Sequence, residues 1–429
     1  MFVYVLDKDG QPLMPTGRFG KVRRMLNNNE AKVISRCTFV IQLLYETKTH
    51  VVQPVEVGDD TGSKHNGISA VAVYNDSAEA EVYASEVQLR TDIAKLLSSR
   101  RELRRGRRYR KTRYRKARFN NRTRSKHKGW LAPTVENKIG VHERELLYIC
   151  SILPVTKVTV ETASFDMQKL KADMEGLKRP KGEEYQHGEQ YGFWNVREYV
   201  LFRDGHKCQC CKGKSKDPVL NVHHIESRQT GGNAPNNLIT LCETCHRGYH
   251  AGTVKLPRAI KRGATFKDAV FMGVMRWAFF NRMKELLYAR GIEVRMTYGY
   301  LTKNTRIRHG LEKTHCIDAR CISGHPEANP LGYYYYKKKV RCHNRQIHKL
   351  TIQKGGVRKR NQAPYKVNGF RLFDKVLYQG QECFIFGRRM DGRFAVRLAD
   401  GTTLGEQVPC RKLKFLEPTH YMLTEMKPA

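Results

Sequence analysis

Apolar residues in this chain come in short runs whose period changes from segment to segment. At residues 55–57, 68–74 and 81–87, three such runs separated by Gly and Asn/Asp predict a meander of strands. Upstream, residues 1–50 hold a turn-rich stretch with Pro12-Leu13-Met14-Pro15, then alternating positions around Val33 and Phe39-Val40-Ile41, which predict a small α+β unit. A helix follows the meander, a second is expected over residues 141–152, and Val158-Thr159-Val160 reads as a strand leading to Glu161. Beyond a polar joint at 169–190, a Cys/His-rich segment occupies about 191–250. The α/β pattern then resumes. Residues 266–289 carry Val270, Val274 and Trp277 at helical spacing, with the Met and Phe residues read as core, and Ile292, Val294, Met296 and Tyr298 alternate as in a strand. About 371–416, alternation broken by Asp391-Gly392 and Asp400-Gly401 predicts a small β-barrel.

Charge narrows the partner. The 429 residues hold 79 Lys+Arg against 41 Asp+Glu, a formal charge of +38, which points to a polyanion. No run of about 18 apolar residues exists, and residues 1–15 lack the basic and apolar regions of a signal peptide. A soluble, cytoplasmic chain without membrane contact is expected. Residues 100–128 contain sixteen Lys/Arg among 29 with one acid, Glu102, and with Tyr109, Tyr114 and Phe119 interleaved. A like-charge block is ordinarily a disordered tail. This one is internal and lacks an apolar stripe, so a long arginine helix here needs phosphates to neutralise it. The candidate contacts are Arg100, Arg101, Arg104, Arg105, Arg107, Arg108, Arg110, Lys111, Arg113 and Arg115. Residues 337–360 add ten Lys/Arg and no acid, after a run of four tyrosines.

Twelve cysteines in so long a chain favour metal in a reducing compartment over a disulfide scaffold, because four fall in two Cys-x-x-Cys steps. Cys208, Cys211, Cys242 and Cys245 supply the four thiolates of a closed, structural zinc site. The segment they enclose holds His223-His224 and Asn236-Asn237, and His246 and His250 follow. His246 and His250 share a helix face and, with His223, can hold one divalent ion, expected to be magnesium. His224, next along a strand, points elsewhere and can act as general base; Asn237 can orient the His224 loop or coordinate the metal. A plain zinc ribbon with incidental histidines is the simpler alternative, but it leaves this order unexplained. The pattern resembles the HNH, or ββα-metal, nuclease family.

Three acids lie at predicted element ends: Asp60 in Gly58-Asp59-Asp60-Thr61-Gly62-Ser63, Glu161 after its strand, and Asp318 in His315-Cys316-Ile317-Asp318-Ala319, where His315 shares its face. Such a set suits two magnesium ions about 3.5 to 4 Å apart. Their order along the chain, with the HNH segment between the second and third, resembles the split RuvC motifs of the RNase H fold. With the arginine-rich helix and the Pro-Leu-Met-Pro segment, the chain resembles IscB, a transposon-encoded, RNA-guided nuclease family regarded as kin to type II CRISPR effectors. The resemblance implies Asp60, Glu161 and Asp318 as a RuvC metal site with His315 as base or ligand. It also implies a structured guide RNA, double-stranded target DNA with an adjacent motif read by the C-terminal region, and a protein monomer in a prokaryotic ribonucleoprotein. One position departs from it: the residue before the first catalytic Asp is usually apolar and here is Asp59, so either Asp59 bends the strand outward or the centre is altered.

The expected architecture is therefore α/β and multidomain: an RNase H-like mixed sheet with an inserted ββα-metal module, a long basic bridge helix and a C-terminal small β-barrel. Its segments are 1–54 (N-terminal), 55–90, 130–175 and 263–328 (RuvC), 91–129 (bridge helix), 176–262 (HNH) and 329–429 (C-terminal, basic). Under this reading the HNH centre cuts the guide-paired DNA strand and the RuvC centre the displaced one. Two alternatives are a guide-independent homing-type endonuclease and an RNA-binding scaffold with decayed centres. The arginine run yields one test. Replacing Arg104, Arg105, Arg107 and Arg108 by Ala should weaken RNA binding and flatten the log-affinity against log-salt slope by roughly 3, through lost counterion release. An unchanged slope would return the run to a solvated face.

Overall fold

The computed structural model describes residues 1–47, 51–74, 78–108, 129–162, 168, 172, 176, 178–185, 187–227, 232–257, 259–260, 267–340, 365–419 and 421–429. These form two compact units, Met1–Ala163 with Phe271–Ala429, and Ser164–Val270. Among the described residues, no helix is long and apolar enough to cross a membrane.

In the larger unit, β1 (Tyr4–Leu6), β2 (Ala31–Ser35) and β3 (Val40–Leu43) form a small sheet in the order β1-β3-β2. The helix Phe19–Asn27 buries Val22 and Met25 against Val3, Ile41 and Leu43 there, the predicted α+β unit. The meander follows as β4 (Val55–Asp60), β5 (His65–Val73) and β6 (Glu79–Gln88), and β7 (Val155–Thr162) comes after the helices Ile93–Arg108 and Pro133–Ile152. The smaller unit supplies β8 (Leu220–His224) and β9 (Leu238–Cys242). Back in the larger unit are β10 (Glu293–Tyr298), β11 (Tyr333–Lys338), β12 (Lys375–Tyr378), β13 (Gln381–Arg388), β14 (Arg393–Arg397), β15 (Thr403–Pro409), β16 (Lys414–Glu417) and β17 (Leu423–Pro428).

The main sheet has the order β10-β7-β4-β5-β6-β11-β17. β4 is antiparallel to β5 and parallel to β7, and β7 is parallel to β10. One face of β4 and β5, carrying Val55, Val57, Ile68, Ala70 and Ala72, packs on Ile139, Leu146 and Ile149 of the helix Pro133–Ile152 and on the helix Lys267–Tyr288. Burying each of the Val, Leu and Ile side chains stabilises the unit by about 1.5–3 kcal/mol before chain entropy is counted. In the helix Lys267–Tyr288 the buried stripe is Met275, Phe279, Met283 and Leu287, four residues apart, as the Met and Phe reading anticipated. Val274 and Trp277, expected on that stripe, are instead 46% and 37% exposed. The correction is one residue, about 100° of helix rotation: unbranched Met fills the irregular space under the sheet, a role the hydrophobic spacing did not weigh.

The C-terminal segment also differs from expectation. β12 to β16 form an antiparallel sheet in the order β15-β14-β13-β12-β16 over Val376, Cys383, Ile385, Phe394 and Val396. Among the described residues β15 and β16 do not pair, so the predicted barrel is an open sheet. The tyrosine run becomes β11, which with β17 extends the main sheet.

The opposite face of the main sheet is covered by the helix His315–Ser323, and two glycines set its distance. A Cβ on Gly58 would lie 1.9 Å from the Ala319 carbonyl oxygen, and one on Gly67 would lie 2.0 Å from that of His315. Both contacts are with backbone, which cannot swing aside. Gly58→Ala is expected to cost about 3 kcal/mol in denaturant unfolding of the larger unit, the scale of an overpacked interior. A loss below about 0.5 kcal/mol, usual for surface changes, would contradict the contact.

Candidate metal centres

Strand alternation sorts the residues of the first motif. Val55, Val57 and Asp59 face the helical core, whereas Glu56, Gly58 and Asp60 face the helix His315–Ser323. Asp59 does not bend the strand: its pairings with Ile68 and Val160 are regular, and β4 continues to Asp60. Its carboxylate is fully buried, and among the described residues neither oxygen has a hydrogen-bond partner within 3.5 Å. Burial first, then the charge of Asp60, holds that carboxyl well above the usual range. Because Asp59 pairs with Val160, Asp60 stands beside Glu161 on the same face. Thr314 caps the late helix by accepting from the Ile317 N–H at 3.1 Å, so the helix starts at His315 and turns His315 and Asp318 toward β4.

Each acid of this set has a basic partner. His315 Nδ1 lies 2.7 Å from Asp60 Oδ2, Arg276 Nη2 lies 2.9 Å from Glu161 Oε1, and Arg306 Nε lies 3.0 Å from Asp318 Oδ1. Arg276 also donates through Nε and Nη2 to the Thr61 carbonyl, and Thr61 Oγ1 donates to the Glu161 carbonyl, tying the ends of β4 and β7 together. The hydrogen bond to Asp60 is the first cause raising the His315 pKa. Glu161 and Asp318 are raised by burial and by the charge of Asp60. The three carboxylates are thus neighbours that repel one another, yet they do not all approach within 4.8 Å. Arg276 and Arg306 were not singled out in the sequence; the one available signal was an arginine in an otherwise apolar helix, residues 271–280.

In the smaller unit, the hairpin β8–β9 and the helix Glu243–Ala251 bring His223, His246 and His250 together, with ring nitrogens within 4.8 Å of one another. His223 Nε2 is buried and, among the described residues, has no hydrogen-bond partner. Burial, then the neighbouring His246 and His250, push the His223 pKa down to about 4, so its ring is neutral and able to ligate. His224 stands outside this trio, with Nε2 3.0 Å from Asn233 Oδ1, a partner the sequence reading missed. Asn237 is fully buried. Its Oδ1 accepts from the Glu226 N–H, and its Nδ2 donates to the Glu226 and Gly232 carbonyls, which fixes the chain just after His224.

The sulfurs of Cys208, Cys211, Cys242 and Cys245 also lie within 4.8 Å of one another. The Ser215 hydroxyl is the first cause drawing the Cys211 thiol down to about 6. Of the arginine-run contacts, Arg100 and Arg101 are exposed on the helix Ile93–Arg108. Arg104, Arg105, Arg107 and Arg108 continue that helix with side chains outside the description, and Arg110, Lys111, Arg113 and Arg115 lie outside the described residues.

Comparison with known proteins follows these lines. A family model described as RRXRR protein matches residues 3–188, and one described as HNH endonuclease matches residues 208–252. No curated protein matches the chain. Among solved structures, Streptococcus thermophilus Cas9 in complex with AGGA PAM matches at 13% identity and TM-score 0.29, over 45% of this chain and 26% of that one. The same protein in complex with the GGAA PAM matches at 15% identity and TM-score 0.30, over 46% and 26%. The chain thus spans about a quarter of the length of those structures. The segment that holds both the four cysteines and the three histidines, residues 208–252, is therefore the part of the chain that is similar to HNH endonucleases.

Four buried or half-buried thiols in a small unit predict one tightly held zinc whose loss unfolds that unit. Elemental analysis of freshly purified protein should find it, and Cys242→Ser should abolish it together with the cooperative melting of the unit. Protein free of zinc yet fully folded would overturn the assignment.

Proposed function

We propose that the chain is an RNA-guided DNA endonuclease of the IscB kind with two independent centres. The observation that carries this reading is that Asp60, Glu161 and Asp318, from three distant segments, gather on one face of the main sheet, while the HNH domain lies between the second and third. The partial order β6-β5-β4-β7-β10, with three antiparallel strands and then two parallel ones, supports an RNase H-like core of the RuvC type. The matches to RRXRR and HNH models support the same organisation.

The expected magnesium suits the two centres unequally. Three carboxylates suit it: Glu161 and Asp318 are raised by burial and then by the charge of Asp60, and a dication would offset both. Bound there, it would polarise the phosphate and stabilise the leaving oxygen. Within this chain, Arg276 and Thr61 hold Glu161 in place, and Asp60 holds His315 as the group able to take or give a proton. The trio His223, His246 and His250 offers imidazole only, which suits a zinc-class transition ion better than magnesium. Beside it, His224 is the base candidate, aimed by Asn233, while Asn237 acts as the clamp on its loop. The basic helix and the +38 charge fit a guide RNA and its paired DNA.

The two centres share no residue, so loss of either should leave a nickase. His224→Ala is expected to slow cutting of the guide-paired strand by about 10²–10⁴-fold, the usual contribution of a general base. Asp60→Ala should abolish cutting of the displaced strand only. A guide-programmed plasmid with each strand labelled separately reads both. If Asp59→Ala abolishes a cut and Asp60→Ala does not, the register of the first motif is wrong. A variant that binds target yet loses both cuts contradicts independence.

A further inference from the structure

The larger unit holds another group of metal-binding side chains beside the acid trio. In the β5–β6 ladder His65 pairs with Gln88 and Gly67 with Glu86, which makes His65 and Glu86 diagonal neighbours on one face. His65 Nδ1 lies 2.7 Å from Glu86 Oε1. Gly67 has no side chain to separate this pair from the late helix, and the His315 backbone sits where its Cβ would be. The His65 and His315 rings consequently stack, with centroids 5.5 Å apart and planes 2° apart. One donor atom from each of His65, Glu86 and His315 lies within 4.8 Å of the other two. Among the described residues, neither ring's Nε2 has a protein hydrogen-bond partner.

We propose that His65, Glu86 and His315 form a fourth ion site, for a transition-metal dication of the zinc class, and that an ion there withholds His315 from the carboxylate centre. Two imidazoles and one carboxylate are a softer donor set than three carboxylates, so this site and the acid trio select different ions from the same solution. Ligation asks the donors to close to about 3.4 Å, the separation set by bonds of about 2.1 Å in a tetrahedral site. Partly exposed side chains reach that by turning their rings, without moving the strands. Ion binding stands on this geometry alone. The inhibitory consequence rests on the role proposed above for His315.

The test uses the full chain with its knuckle zinc in place and with His246→Ala and His250→Ala, which remove the tris-histidine trio. In excess magnesium, titration with Co²⁺, followed by visible absorption and calorimetry, should show one further bound ion. His65→Gln and Glu86→Gln, each added to that background, should weaken it by at least roughly tenfold, with thermal melting recorded so that unfolding is not mistaken for lost ligation. No further Co²⁺ in the background, or equal binding in both added variants, overturns the site. Zinc added to the strand-resolved assay should slow displaced-strand cutting, and His65→Gln should remove that sensitivity. Co²⁺ binding without any zinc effect overturns the inhibitory half. Absence of displaced-strand cutting before zinc is added contradicts the nuclease reading of the acids, while the cobalt titration still decides the ion site.

Discussion

Backbone contact between the helix His315–Ser323 and strands β4 and β5 decides where the chemistry of the larger unit can occur. Gly58 and Gly67 let the carbonyls of Ala319 and His315 approach positions that any Cβ would fill. Only at that separation does His315 reach Asp60, at 2.7 Å, with Asp318 on the same helical face. The same approach stacks His315 on His65. A residue type chosen for the absence of a side chain thus determines which side chains meet.

The second constraint is charge. Three carboxylates gathered at one sheet face are costly without cations, and the protein answers with Arg276 and Arg306, while His315 hydrogen-bonds Asp60. Arg276 reaches its place from a helix whose other face is the Met and Phe stripe of the core, so core packing and site electrostatics are set by one element. The smaller unit solves a different problem. Its apolar cluster is small, with Ile239 and Leu241 among the cysteines, and a zinc held by the four sulfurs would compensate for a core that hydrophobic burial alone leaves weak.

Much of this was legible from the chain. The meander, the strand before Glu161, the late helix with His315 and Asp318, and the paired knuckles around the histidines all depend on local period and spacing, which a sequence displays. What escaped depends on long-range geometry. The rotation of the helix Lys267–Tyr288 turned on which residues fill an irregular interior. Recruitment of β11 and β17 to the main sheet joins segments that composition assigned elsewhere. Asp59 read either as a strand distortion or as a sign of an altered centre because a charge inside a strand is unexpected; the structure buries it on the core face and leaves Asp60 in register. Asn233 and Arg276 carry no motif, only a position.

The acid trio is proposed to be a metal centre in its own right, separate from the histidine trio. Anomalous diffraction from crystals grown with manganese in place of magnesium tests it most directly, since manganese favours oxygen ligands and scatters distinctly. The account predicts an anomalous peak bonded to oxygens of Asp60, Glu161 and Asp318, with Arg276 or Arg306 drawn off its carboxylate. Peaks confined to the cysteine and histidine clusters, with both arginine pairs intact, would contradict it.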